Sequence, residues 1–240
     1  MSPSSREIDE HFMARALALA ARGLGTTSPN PPVGAVVVRR GRVVGEGYHR
    51  RAGGPHAEAL ALRRAGSRAR GATLYVTLEP CCHLDKRTPP CVPSIIASGV
   101  ARVVVAAHDP NPKVRSRGLA ALRRAQLCVD LGVGQAGAEK LIEPYRTLIT
   151  TDRPFVTLKV ASTLDGKIAT ARGESRWITG PAARGLVHFC ALVPMRLWPA
   201  SEPCWRMTPA SRHARERRAN MRRFALCSIP RCAFHSMQKC

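Results

Sequence analysis

Apolar and polar positions in residues 1–150 alternate between segments of helical period and short β-branched runs. DEHFMARALALAARG and PHAEALALRRAG repeat apolar residues at helical spacing and close on a glycine, which predicts two helices. VGAVVVRRGRVVGEGYH predicts a hairpin, and the runs ATLYVTLEP, ARVVVAAHDP and LCVDLGV predict three further strands. CVPSIIASG and RGLAALRRA predict two more helices. Helices that alternate with strands in this way predict an α/β fold built in layers.

The pattern weakens after residue 150. EPYRTLITTDRP predicts a linker, FVTLKVASTLDGKIAT a strand and a turn, and ESRWITGPAARGLVH a loop followed by the start of a helix. Residues 189–240 show neither period, and they hold five of the nine cysteines, four of the six methionines and no aspartate. We predict one domain over 1–150, the start of a second over 151–188, and a poorly structured tail over 189–240.

Charge and composition narrow the function classes. The formal charge of +22 favours a nucleic-acid partner at first sight. However, residues 1–188 carry 28 Lys+Arg against 14 Asp+Glu, and residues 189–240 carry 10 against 2, so the basic side chains are scattered. Aromatic residues make up only 5% of the chain, which leaves few platforms for stacked bases. We therefore expect a solvated basic surface and no nucleic-acid partner.

Nothing in the sequence suggests a membrane or secretory segment. There is no apolar run long enough to span a bilayer, and the opening MSPSSREIDEHF lacks the apolar core of a signal peptide. We expect a cytoplasmic protein with no membrane partner. In that compartment, clustered cysteines are more often metal-binding or catalytic than disulfide-bonded.

The candidate chemistry lies in two short motifs, PHAE and EPCCHLDKRTPPC. His56, Cys81 and Cys91 supply one imidazole and two thiolates, which predicts a zinc site with an open fourth position. Glu58 is spaced to lie beside that position and to carry a proton. Each motif alone is more often surface decoration or core packing, but together they match the pattern of zinc deaminases. We interpret Cys82 as a packing residue and Cys128 as a buried strand residue.

Five segments carry a family resemblance: TSPNPPVGAVVV, GEGYHRRAGGPHAEALAL, TLYVTLEPCCH, RTPPCVPSIIASGV and AAHDPNPKVRSRG. They resemble the deaminase half of the bifunctional deaminase–reductase of riboflavin biosynthesis. The resemblance implies a cytidine-deaminase-like three-layer sandwich with a central mixed sheet. It also implies a phosphorylated substrate, a diaminopyrimidinone with a ribosylamino 5-phosphate, and the possibility of a homo-oligomer. The residues implied to bind the substrate are Asn30, His49, His83 and Arg87, although the loop before Cys91 is one residue longer than usual.

RPFVTLKVASTLDGKIATARGESRWITG resembles the opening of the reductase domain of the same family, which has a dihydrofolate-reductase-like fold. Here the resemblance implies cofactor or substrate contacts at Ala161, Ser175 and Trp177, with Lys159 and Asp165 also matching. From the residues alone, this segment is only a strand and turn with a core tryptophan. The bulk of such a domain is missing, so NADPH would bind only if the reductase half were intact. The alternatives are another zinc nucleobase or tRNA deaminase, or an inactive remnant.

The residues after His188 read as a reductase segment translated in the wrong frame. Joining the third base of each codon to the first two of the next can turn PASEPCWRMTP into GIGTVLADDP. The same operation can turn FALCSIPRCAFHSMQKC into RALFDSTLRVPFDAKV. Both products resemble later reductase motifs, in the right order. The same operation restores a Leu-Arg and then an Asp-Ala just after His188, so the sequence predicts a frame slip at His188–Phe189.

Overall fold

A five-stranded mixed sheet organises the fold. The computed structural model of the protein describes residues 4–83, 88–175 and 177–192. In the sheet, β1 pairs antiparallel with β2 and β3, whereas β3–β4 and β4–β5 are parallel. The predicted mixed sheet is confirmed. The strands, in the order β2-β1-β3-β4-β5, are β1 Gly34–Arg39, β2 Arg42–Tyr48, β3 Thr73–Leu78, β4 Arg102–Ala107 and β5 Cys128–Leu131.

Helices cover both faces of this sheet. Successive residues of a strand point to opposite faces, so Val37 packs in one apolar cluster and Val36 in another. The first cluster includes residues of α2, α3 and α4, and the second includes residues of α1 and α5. This arrangement is the predicted three-layer sandwich. The helices are α1 Ser5–Ala21, α2 Ala57–Ala65, α3 Cys91–Ala97, α4 Arg117–Arg124, α5 Gln135–Leu141, α6 Glu143–Thr151 and α7 Pro181–Leu192.

Local sequence signals set the ends of these elements. Ser4 and Glu7 form a reciprocal capping box that starts α1. The β1–β2 turn places Arg40 and Gly41 at positive φ, which matches the twist of a tight hairpin. Helix α2 begins after Pro55 and closes on Gly66, as its sequence predicts. The parallel pair β3–β4 then brings the residues that follow each strand to one edge of the sheet.

Three predictions near the end of the sheet were wrong. EPYRTLITTDRP is not a linker, because Glu143–Thr151 form α6, with a proline in the first turn where its missing N–H costs nothing. Cys128 is exposed rather than buried, because β5 is an edge strand. FVTLKVASTLDGKIAT forms no strand: residues 154–163 pair with none of the described strands, and Leu158 is 77% exposed. A strand needs a partner for its backbone hydrogen bonds.

The chain divides into two units, Met1–Ala183 and Arg184–Cys240. The described part of the second unit is the remainder of α7, which continues past the predicted slip at His188–Phe189 to Leu192. The rest of the predicted tail, residues 193–240, lies outside the described residues. No described helix is both long and apolar enough to cross a membrane.

Candidate functional site

Three predicted ligand residues meet at one edge of the sheet. His56 is the N-cap of α2, Cys81 follows β3, and Cys91 is the first residue of α3. His56 Nδ1 lies 3.5 Å from Cys81 Sγ and 3.3 Å from Cys91 Sγ. The ligand atoms of all three residues lie within 4.8 Å of one another. The fold therefore brings together the three side chains that the sequence pattern predicted as ligands, although they are up to 35 positions apart along the chain.

The spacing of these atoms fits a tetrahedral zinc ion. Zinc bonds of about 2.3 Å to sulfur and about 2.05 Å to nitrogen give tetrahedral edges of about 3.6 Å between ligand atoms. The observed nitrogen–sulfur distances of 3.3 and 3.5 Å are close to that edge. The Cys91 amide also donates to Cys81 Sγ at 3.4 Å. One imidazole and two thiolates leave a fourth position for a reacting molecule.

Glu58 lies in the first turn of α2, two residues after His56. Its side chain is buried, with only 3% of the residue exposed. Oε2 is buried with no hydrogen-bond partner among the described residues. Burial, followed by the negative charge of Cys81, raises the pKa of Glu58 above its ordinary value, and His56 opposes the shift. A buried carboxylate with an unpartnered oxygen is suited to exchange a proton with a molecule bound beside it.

Asn30 and His49 form a pair next to His56. The Pro55 carbonyl can only accept, so His49 Nδ1, 3.0 Å away, carries the hydrogen and donates it. His49 Nε2 can then accept from Asn30 Nδ2 at 3.1 Å. The His49 ring packs edge-on against that of His56, with centroids 5.4 Å apart. Burial is the main cause that lowers the pKa of His49, which keeps the ring neutral.

Cys82 and His83 follow the predicted metal ligand Cys81 but have different surroundings from it. The Cys82 side chain lines a cavity of about 740 Å³ together with Val92 and Pro93 of α3. It is not part of the cluster of possible ligand atoms, in agreement with its interpretation as a packing residue. His83 is half-buried in the same loop. Arg87 lies outside the described residues.

A buried carboxylate that sequence reasoning missed supports the ligand loop. Glu79 accepts from the backbone N–H groups of Ser116, Gly118 and Leu119 at 3.0, 3.1 and 3.3 Å, and lies 3.0 Å from His108 Nδ1. A Cβ on Gly118 would lie 2.1 Å from the Pro80 carbonyl, so only glycine allows this approach. Glu79 thus fixes the start of α4 against the segment that carries Cys81. A charged residue at the end of an apolar strand was the available signal.

The residues predicted to contact NADPH lie far along the chain from this cluster. Ala161 is half-buried, Ser175 is exposed, and Trp177 is 64% exposed rather than in a core. Lys159 and Asp165 are also exposed. The described residues from 154 to 192 form no sheet that could bind a dinucleotide, so they do not fit this cofactor.

Comparisons with known proteins agree with this geometry. Residues 6–107 match the cytidine and deoxycytidylate deaminase zinc-binding region, and residues 154–191 match the RibD C-terminal domain. The chain is 55% identical over 184 residues to riboflavin biosynthesis protein RibD of Aquifex aeolicus (strain VF5), covering 77% of this chain and 51% of that protein. The chain spans about half the length of the curated relatives it matches.

Two solved structures extend the comparison to the fold. Acinetobacter baumannii RibD, form 1, has a TM-score of 0.74 at 48% identity, covering 79% of this chain and 53% of that one. A Thermotoga maritima diaminohydroxyphosphoribosylaminopyrimidine deaminase/5-amino-6-(5-phosphoribosylamino)uracil reductase has a TM-score of 0.74 at 49% identity, covering 78% and 54%. Residues 6–107 are therefore similar to a zinc-binding deaminase region, the fold is similar to that of RibD proteins, and residues 154–191 are similar to part of a RibD C-terminal domain.

Proposed function

We propose that this protein is a zinc-dependent deaminase of riboflavin biosynthesis. Its substrate is a diaminopyrimidinone with a ribosylamino 5-phosphate, from which it removes the ring 2-amino group. One observation carries the proposal: the tetrahedral spacing of His56, Cys81 and Cys91 beside the buried, unpartnered carboxylate oxygen of Glu58. The substrate class rests on likeness to the RibD proteins, including the Thermotoga deaminase/reductase.

The proposed reaction is a hydrolysis in which the bond between a ring carbon and the exocyclic 2-amino nitrogen breaks, and a bond from that carbon to the oxygen of water forms. His56, Cys81 and Cys91 would hold zinc, which supplies a Lewis acid that activates water near neutral pH. Glu58 would accept a proton from water and deliver it to the departing nitrogen, which leaves as ammonia. The raised pKa of Glu58 favours the stage at which this carboxyl holds the proton.

Substrate orientation is assigned to four residues. Asn30 has an amide that can pair with a pyrimidine edge, and its contact with the neutral His49 holds it in place. His83 lies in the loop after Cys81, where we assign it a contact to the ribose or the phosphate. Arg87 is assigned to the phosphate, because a guanidinium can bind its oxygens through two hydrogen bonds. The last two assignments rest on resemblance alone.

The reductase step is not part of the proposed function. Ala161, Ser175 and Trp177 match the family motif, but the described residues around them do not build a nucleotide site. We also propose a cytoplasmic enzyme without a nucleic-acid or membrane partner, since its basic side chains are scattered and aromatic residues are few. A homo-oligomer is compatible with the family likeness and stays a prediction.

The test is ammonia release by the full chain, loaded with zinc, from the phosphorylated diaminopyrimidinone. A tRNA anticodon stem-loop serves as the competing substrate. Activity on the pyrimidine alone supports the proposal. Activity on the stem-loop alone makes the chain a nucleic-acid deaminase, and a soluble, zinc-loaded chain inactive on both would be a remnant.

Glu58→Gln supplies the mechanistic arm of this experiment. The amide keeps the size of the side chain but cannot carry the proton, so we expect bound zinc to remain while turnover falls by about 10²–10⁴-fold or more. Zinc content and turnover are measured on the same preparation. Near-normal turnover in this variant would remove Glu58 from the mechanism.

A further inference from the structure

The two ring nitrogens of His56 face different surroundings. Nδ1 lies 3.5 and 3.3 Å from the sulfurs of Cys81 and Cys91, whereas Nε2 lies 3.0 Å from Thr88 Oγ1. Nδ1 is therefore the nitrogen that faces the metal position. Nε2 faces the loop that precedes Cys91, at a residue 32 positions away along the chain.

Metal binding through Nδ1 fixes the chemistry of Nε2. A neutral imidazole that ligates through the lone pair of Nδ1 carries its hydrogen on Nε2. That N–H can only donate, and the Thr88 hydroxyl oxygen is placed to accept it. In the opposite tautomer a hydrogen on Nδ1 would occupy the direction of the metal. The contact to Thr88 therefore suits the tautomer in which the ring can ligate.

The loop geometry makes Thr88 a rigid support for this ring. Thr88 is joined to Cys91 by Pro89 and Pro90, whose rings restrict φ, and Pro90 adopts φ −63 and ψ 146. One short segment thus supplies a sulfur ligand and a hydrogen-bond acceptor for the histidine ligand. From another direction the ring of His49 packs edge-on against that of His56, at an interplanar angle of 63°.

We propose that Thr88 is a positioning residue of the zinc site, which accepts the Nε2 hydrogen of His56 and holds the ring with Nδ1 toward the metal. This role rests on the proposed zinc function. Partners of this kind to metal-bound histidines typically change metal affinity by 10–100-fold when they are removed. The threonine acts through His56 and is assigned no contact with the substrate.

The experiment compares zinc affinity, measured by competition with a chromophoric chelator, across variants of the full chain. Thr88→Val keeps the shape but lacks the hydroxyl, and we expect it to bind zinc about 10–100-fold more weakly. Thr88→Ser restores the hydroxyl and should bind within about threefold of the wild type, because the acceptor is retained. Thr150→Val, which removes a hydroxyl on the exposed helix α6, serves as the matched control and should bind as the wild type.

A second readout uses the wild-type chain, so that it does not depend on the folding of a variant. In the zinc-loaded protein, ¹⁵N NMR of labelled histidine should show His56 protonated at Nε2 and ligated through Nδ1. Ligation through Nε2, unchanged affinity in Thr88→Val, or equal losses in Thr88→Ser and Thr88→Val would each overturn the role of Thr88 alone. A wild-type chain that binds no zinc would overturn the proposed function as well.

Discussion

At the residue scale, two adjacent thiols have different roles in the fold. Cys81 turns toward His56 and Cys91, whereas Cys82 lines the cavity beside α3. Burial is the largest cause that raises the pKa of Cys82, which favours the neutral thiol over the thiolate that metals bind. Whether a cysteine can bind the metal therefore depends on where its side chain points and on whether its thiol is deprotonated. Its position along the chain does not decide this.

Removal of a ligand thiol should abolish metal binding. We expect Cys91→Ala to lose zinc and deaminase activity together, because two remaining ligands rarely hold zinc in a protein site. Cys82→Ala is the matched control and should keep both. The measurement is zinc per chain by elemental analysis, beside ammonia release. Loss of the metal from Cys82→Ala would show that the ligand assignment is wrong.

Asp109, which follows β4, is the basis of a separate prediction about how the stability of the fold depends on pH. Burial is the main cause that raises the pKa of Asp109 from 3.8 to about 6, against the hydrogen bonds that Asn111 N–H and Tyr145 O–H donate to it. In that window the folded chain binds more protons at this carboxyl than the unfolded chain does. The contribution of Asp109 to stability therefore falls as the pH rises from about 4 to about 6, and stays low above it.

The amide in Asp109→Asn cannot ionise, so this variant should not lose the stability that the wild-type carboxyl loses as the pH rises. The free energy of unfolding of the variant, minus that of the wild type, should increase by up to about 3 kcal/mol between acidic and neutral pH. Urea unfolding at several pH values, with zinc present throughout, measures the difference. A difference that does not change with pH would contradict the raised pKa.

Sequence patterns predicted ligands at this scale but not the residues that support them. His56, Cys81 and Cys91 could be found because zinc ligands follow motif spacing. Thr88 and Glu79 act through contacts with residues 32 and 37–40 positions away, which only the tertiary structure creates. A threonine before two prolines has no signature of its own, and a charged residue at the end of an apolar strand, the one signal for Glu79, does not show which backbone groups it binds.

At the element scale, helix α4 depends on a single side chain from another element. Glu79 accepts three backbone N–H groups at the start of α4, two of them buried. We expect Glu79→Ala to lower the free energy of unfolding by about 2–4 kcal/mol, because those donors would lose their acceptor inside the protein. Glu10→Ala on the exposed face of α1 is the control, and it should change stability by less than about 0.5 kcal/mol. A loss in Glu79→Ala no larger than that of the control would contradict this role.

Elements could be predicted where burial imposes a period. Strand β1 was predicted because both of its faces are buried and its apolar run is continuous, and helix α2 because its apolar residues recur at helical spacing. Helix α6 was missed although Tyr145, Leu148 and Ile149 lie at helical spacing, because the turn-forming residues TTDRP at its end favoured a linker. The strand expected near Leu158 has strand-like residues but no strand to pair with among the described residues. For this segment, strand propensity without a packing partner was a poor guide.

At the scale of the whole molecule, the likeness to known proteins changes abruptly near one position. The match to the RibD C-terminal domain covers residues 154–191, and residues 192–240 follow it. Residues 189–240 contain no aspartate but five of the nine cysteines, a composition unlike that of residues 1–188. A shift of reading frame changes every residue after one point and leaves the preceding residues unchanged, which agrees with a match that ends near residue 191.

The last prediction is that the gene contains a frame slip at the codons of His188 and Phe189. Some shifted codons are forced: Cys204 with Trp205 must give leucine, and Met207 with Thr208 must give aspartate. Sequencing the gene should show codons for residues 199–209 that read GIGTVLADDP in the shifted frame, and codons for residues 224–240 that read RALFDSTLRVPFDAKV.

The chain as translated should then show no NADPH-dependent reduction, while the protein expressed from a gene with the frame restored should gain this activity. The high positive charge of residues 189–240 would follow from the shifted frame and would carry no nucleic-acid function. Codons incompatible with the two restored peptides, or reductase activity in the present chain, would contradict the slip.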